Sequence, residues 1–118
     1  MIHVHAPGAL HMRDREVKTL EDLNRVKIRA PTRMTNAALE ALGAVPGGMP
    51  VPAVPESLAR GVIEGTALPY EVTLPLKVHE LTSSHTEIGG NRDLYTAVFM
   101  FEENKDSEKS LPSAMRRV

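Results

Sequence analysis

Apolar residues in this chain come in short runs broken by proline and glycine. Ile2 and Val4 alternate with His3 and His5, the period of a short strand. From there to Val17 the chain reads as extended and irregular, with a turn at Pro7-Gly8. Thr19-Leu20-Glu21-Asp22-Leu23 reads as a capped helical turn, with Thr19 as N-cap and Asp22 three residues on. Val26-Lys27-Ile28-Arg29 then predicts a short buried strand, stopped by Pro31, because strands covered on both faces are mostly Val, Ile and Leu.

A helix follows from Pro31 to about Leu42. Thr35, Leu39 and Leu42 share one face, Ala37, Ala38 and Ala41 allow close packing, and Gly43 is the stop. Val45 to Val54 carries three prolines and two glycines and reads as an edge strand or extended loop. Pro55 opens a second helix, Glu56 to Arg60, closed by Gly61. Val62-Ile63 reads as a second apolar strand ended by Gly65. Pro69 starts a third helix that fades near Leu81 and offers Val72, Leu76 and Val78 to a core. Leu94 to Phe101 is the most apolar run and predicts a strand. Glu102 to Ser110 reads as a charged connection, and Leu111-Pro112 begins a last helix.

Alternating short strands and helices predict an α/β domain, a mixed sheet flanked by helices. Right-handed crossovers place Arg29, Gly65-Thr66 and the turn before Pro69 on one rim. An arginine at the carboxyl end of a strand faces the crevice where open α/β sheets bind ligands. Its planar fork suits a carboxylate or phosphate. The same arginine could instead pair with a nearby glutamate, as strand-end arginines often do.

Composition narrows the function classes. The 118 residues suffice for one domain with one core. A formal charge of −1 supplies no basic field for nucleic acid. With no cysteine there is no disulfide or thiolate metal site. No apolar run reaches the length of a membrane span, and Met1-Ile2-His3-Val4-His5 is too short and polar for a secretory signal. Two Phe, two Tyr and no Trp leave a core of aliphatic residues and modest stability.

Other candidate groups read more simply as surface. His3 and His5 share a strand face at a spacing that could hold a metal, with only His11 near as a third ligand. His79 and His85 read as polar surface in or after a helix. Glu64 and Glu71 could be paired carboxylates for acid–base work, but no nucleophile motif accompanies them. Thr32 and Thr35 open the first helix as caps or as donors to an anion. Arg33 reads as a solvated helix residue. No cofactor is expected, and no enzyme.

An ordered set of segments carries a family resemblance: Leu20-Glu21-Asp22-Leu23, Lys27-Ile28-Arg29-Ala30-Pro31, Ala41-Leu42-Gly43-Ala44, Met49-Pro50, Glu56-Ser57-Leu58, Gly61-Val62-Ile63-Glu64-Gly65, and Asn104-Lys105 before Ser110-Leu111-Pro112. Together they resemble the DctP-type solute-binding proteins of TRAP (tripartite ATP-independent periplasmic) transporters. The resemblance implies one lobe of a type II periplasmic-binding-protein-like fold, with residues 1–118 as a second lobe and crossing strands at 1–6 and 94–101. It implies a periplasmic, non-catalytic carrier that delivers a small organic acid to a TRAP membrane permease. The family's ligand-pairing arginine falls on Arg29. Thr32, Thr66 and Tyr70 are then the expected ligand neighbours.

Two departures shape the expected ligand. Where the family often has Gly-Gln-Glu-Asn-Pro, this chain has Gly65-Thr66-Ala67-Leu68-Pro69, and no second arginine stands near Gly8-Ala9-Leu10. A monocarboxylate or keto acid fits better than a sugar acid, with Tyr70 as an apolar wall. The family is roughly three times longer, which motivates an alternative: a structural remnant that binds nothing. In that reading the crossing strands are left as unpaired edges that invite a homodimer by strand exchange.

Overall fold

In a computed structural model, residues 2–90, 93–100, 102, 104–112 and 115 are described. Among the described residues, seven strands form two sheets: β1 (Ile2–Val4), β2 (Gly8–Met12), β3 (Lys27–Ala30), β4 (Val45–Gly48), β5 (Gly65–Pro69), β6 (Ser84–Thr86) and β7 (Val98–Met100). The main sheet has the order β4-β3-β5-β2-β6. Strands β4 and β5 run parallel to β3, while β2 runs antiparallel to β5 and β6. This is the mixed α/β sheet expected. Helix α1 (Arg33–Ala41) makes the β3–β4 crossover, and α2 (Val54–Ala59) lies between β4 and β5.

The two faces of the sheet sort the chain into two clusters. Leu10, Met12, Ile28, Ala30 and Ala67 pack on one face with Leu23, Val26 and Leu39. Leu68 packs on the other with Val54, Leu58, Ile63 and Val78. Strand β5 shows the alternation plainly: Ala67 and Leu68 are neighbours in sequence and belong to opposite clusters.

Strand β3 and the first two helices fall where the apolar pattern puts them, whereas the stretch read as extended from Val45 to Val54 is strand only over Val45–Gly48 and turns 3₁₀ at Val51–Ala53. Thr32 caps α1 by accepting the Thr35 N–H at 3.1 Å, and Gly43 ends it at φ 91°. Other expectations are corrected. The segment read as irregular contains β2, and Gly8, read as a turn, is its first buried residue. Gly-Ala-Leu-His-Met has little β propensity, but pairing on both sides makes it a strand. The second apolar strand is Gly65–Pro69, not Val62-Ile63. Thr19 does not cap. Instead the Asp22 carboxylate accepts the Lys18 and Thr19 N–H groups, both at 2.9 Å, at the 3₁₀ turn Glu21–Leu23.

The third helix is a single turn, α3 (Tyr70–Thr73), followed by a 3₁₀ turn at Val78–Glu80. Pro75 explains the break, since it lacks an N–H and its ring collides with the carbonyl four residues back. Lys77 then turns left-handed at φ 54°. His85, read as polar surface in or after a helix, sits in β6. The charged connection contains α4 (Lys105–Ser110), capped by Asn104. Of the Leu94–Phe101 run only Val98–Met100 is strand, Phe101 lying outside the described residues. The expected last helix falls mostly outside them too. The crossing segments are not left unpaired: β1 and β7 form an antiparallel ribbon, Ile2 opposite Met100 and Val4 opposite Val98.

Candidate functional site

Pairing of β3 with β5 ends at Arg29 opposite Thr66, because Pro31 stops β3 one residue later. The next carbonyl on β5, that of Ala67, is therefore free for side chains. Arg29 reaches it: Nη1 donates to Ala67 O at 3.4 Å, while Nε donates to Met49 O at 3.2 Å beyond the end of β4. The guanidinium thus sits between the carboxyl ends of β4 and β5. Arg29 is only 3% exposed, and among the described residues it forms no ion pair. Burial lowers its pKa, with Tyr95 acting the other way, yet an arginine stays charged at any physiological pH. Two of its five N–H groups are used, and Nη2 makes no hydrogen bond among the described residues. Burying a cation without an anion costs several kcal/mol of desolvation. The N–H groups that remain are of the kind that can donate to a carboxylate or phosphate.

Of the other expected neighbours, the structure brings one to Arg29. Thr66 stands directly beside it in register and on the same face. It is fully buried, and its Oγ1 has no hydrogen-bond partner among the described residues. Thr32 is exposed and its hydroxyl is engaged within α1, 2.8 Å from the Thr35 hydroxyl. Tyr70 is 41% exposed and sits edge-on to His11 and His85, with ring centroids 5.1 and 5.8 Å away. It lines a separate cleft with Pro7, Ala9, Glu87 and Ile88.

Sequence reasoning missed Tyr95. Its hydroxyl donates to Ala67 O at 3.3 Å, the same oxygen that Arg29 Nη1 holds. Its ring lies on Gly8, where an added Cβ would come within 2.0 Å of the ring carbon Cε1. Burial pushes the phenol up to about 12, although Arg29 beside it pulls the other way. In the sequence, Tyr95 is one more apolar residue in a strand-like run. The only available hint was the close approach that glycine permits at position 8.

His11 was also undervalued. It is fully buried opposite Thr66, with Nδ1 2.7 Å from His85 Nδ1 and Nε2 2.9 Å from Leu68 O. Leu68 O can only accept, so Nε2 carries the proton and the neutral His11 ring accepts from His85. Burial lowers the His11 pKa; the bond to Leu68 opposes this and His85 adds to it. His5 sits edge-on to both His3 and Phe99, and among the described residues no three His, Asp or Glu side chains are placed to hold a metal. Glu64 and Glu71 are not a pair. Glu64 accepts from the Lys27 N–H at 3.2 Å, and Glu71 binds His5 at 2.9 Å.

Residues 4–118 match DctP, the bacterial extracellular solute-binding protein family 7. The fold is similar to a TRAP solute-binding protein from Rhodoferax ferrireducens T118 in complex with copurified benzoate. The TM-score is 0.92 and the identity 46%, over 98% of this chain and 36% of that one. A marine metagenome TRAP protein specific for aromatic acid ligands, crystallised with 3-hydroxybenzoate, gives a TM-score of 0.88 and 47% identity over 94% of this chain and 35% of its own. A Bordetella bronchiseptica TRAP protein with bound (R)- and (S)-mandelate gives 0.82 and 30% over 98% and 36%. This chain spans about a third of the length of these proteins.

Proposed function

Because this chain belongs to the DctP family of bacterial extracellular solute-binding proteins, we propose that it is the arginine-bearing lobe of a TRAP-type receptor that binds an aromatic monocarboxylate. Arg29 is the carboxylate anchor, and the chain carries its ligand without transforming it. The receptor works outside the cytoplasmic membrane and delivers the acid to a TRAP permease. The observation that carries this reading is the buried Arg29 fork, hydrogen-bonded to two carbonyls and facing no carboxylate among the described residues. Benzoate, 3-hydroxybenzoate and mandelate in the related proteins favour an aromatic acid over a sugar acid.

Affinity follows from enclosure. An exposed guanidinium–carboxylate pair contributes about 0–1 kcal/mol, whereas truncating one partner of an enclosed pair can cost about 2–5 kcal/mol. The isolated chain is expected to bind benzoate in the millimolar range. Thermal unfolding with benzoate and with Arg29→Gln tests the reading. At ten times Kd, benzoate stabilises the wild type by about 1.4 kcal/mol, and Arg29→Gln abolishes the gain. No stabilisation by benzoate, phenylacetate or mandelate, or an equal response in Arg29→Gln, would sink it.

A further inference from the structure

The Tyr95 phenol and the Arg29 guanidinium meet on one oxygen, which gives the phenol a defined polarity. Ala67 O accepts and cannot donate, so the Tyr95 O–H points at it from 3.3 Å. The lone pairs of the phenol oxygen are consequently turned away from Ala67. Burial holds the group protonated, with a pKa of about 12. A phenolate would favour a cationic or strongly donating partner; the neutral oxygen is a plain acceptor. Gly8 and the main core cluster seat the ring, so the oxygen is held in place.

Arg29 and Tyr95 reach the same carbonyl oxygen, so the guanidinium and the phenol stand next to one another at Ala67. A carboxylate on Arg29 would place the carbon next to it near the Tyr95 oxygen. A hydroxyl on that carbon has a proton to donate to an acceptor fixed there.

We infer that Tyr95 is a specificity residue of the Arg29 site, its phenol oxygen accepting a hydrogen bond from a ligand hydroxyl adjacent to the carboxylate. The site therefore prefers aromatic 2-hydroxy acids to their deoxy counterparts. This inference rests on Arg29 as the carboxylate anchor. It also predicts discrimination against a second carboxylate at that carbon, whose oxygens would face the lone pairs of the phenol.

The test measures Kd for mandelate and phenylacetate by chemical-shift titration of the full chain, in wild type, Tyr95→Phe and Arg29→Gln. Wild type is expected to bind mandelate about five- to tenfold tighter, the worth of one neutral hydrogen bond. Tyr95→Phe keeps the ring on Gly8 and is expected to bring the two acids to equal affinity. Arg29→Gln is expected to lose both acids. An unchanged mandelate preference in Tyr95→Phe, or equal weakening of both acids, overturns the role of Tyr95 and leaves the anchor standing. Binding of neither acid to wild type, or unaltered binding to Arg29→Gln, overturns the anchor and this inference with it.

Discussion

His11 shows how one residue changes meaning once its neighbours are known. Its ring is fully buried, faces His85 and the Leu68 carbonyl, and has the Tyr70 ring against its edge, with Glu87 beyond that tyrosine. Desolvation lowers its pKa below the ordinary 6.5. The unfolded chain therefore binds the extra proton between the folded pKa and 6.5, and stability rises with pH across that window. Above it the contribution is complete; it is lost as pH falls through the folded pKa. The urea midpoint is expected to fall between about pH 7 and 5 in wild type, with a visibly flatter slope in His11→Gln. Equal slopes in the two proteins would show that His11 does not carry the effect. The depressed carboxyls of Glu21, Asp22 and Glu71 titrate lower and leave this window clear.

At the scale of elements, α1 separates a cap from a ligand group. The Thr32 hydroxyl is engaged with both the N–H and the hydroxyl of Thr35. Thr32→Ala is expected to cost about 1 kcal/mol in urea unfolding, as N-cap deletions do, and Thr32→Ser to restore most of it. Carboxylate affinity is expected to stay unchanged in both. A large affinity loss without a stability loss would return Thr32 to the ligand site. The third helix teaches a second lesson: its apolar spacing was sound, and Val78 is buried as expected, yet Pro75 splits the helix in two. Local chain chemistry overruled periodicity there. In β2 and β5 the opposite happened, and sheet pairing turned weak strand formers into buried strands.

The molecule as a whole exposes more surface than its mass requires. A compact chain of this mass presents about 6,300 Å², against 8318 Å² here. Its radius of gyration is 17.5 Å, where about 13.5 Å is usual for the length. The β1–β7 ribbon contributes to the excess. Ile2, Val4, Val98 and Met100 share one of its faces by register, each more than half exposed. Such a face is an association hazard. Light scattering during size exclusion is expected to show concentration-dependent dimerisation, removed by Val98→Lys with Met100→Lys at unchanged melting temperature. A strictly monomeric wild type would exclude this.

The sequence by itself determined the α/β class, the strand ending in Arg29, the α1 helix with its cap and stop, and the β4 edge strand. Each depends on local chemistry: β-branched residues before a proline, a threonine before alanines, a glycine that can turn left-handed. The family was legible too, because its motifs recur in order along the chain. Only the tertiary structure decided what surrounds Arg29. Which carbonyls it holds, that Thr66 stands beside it, that Tyr70 does not, and that Tyr95 shares Ala67 with it all depend on strand order and register. Those join residues up to 66 positions apart in the chain, and no local pattern encodes such distances.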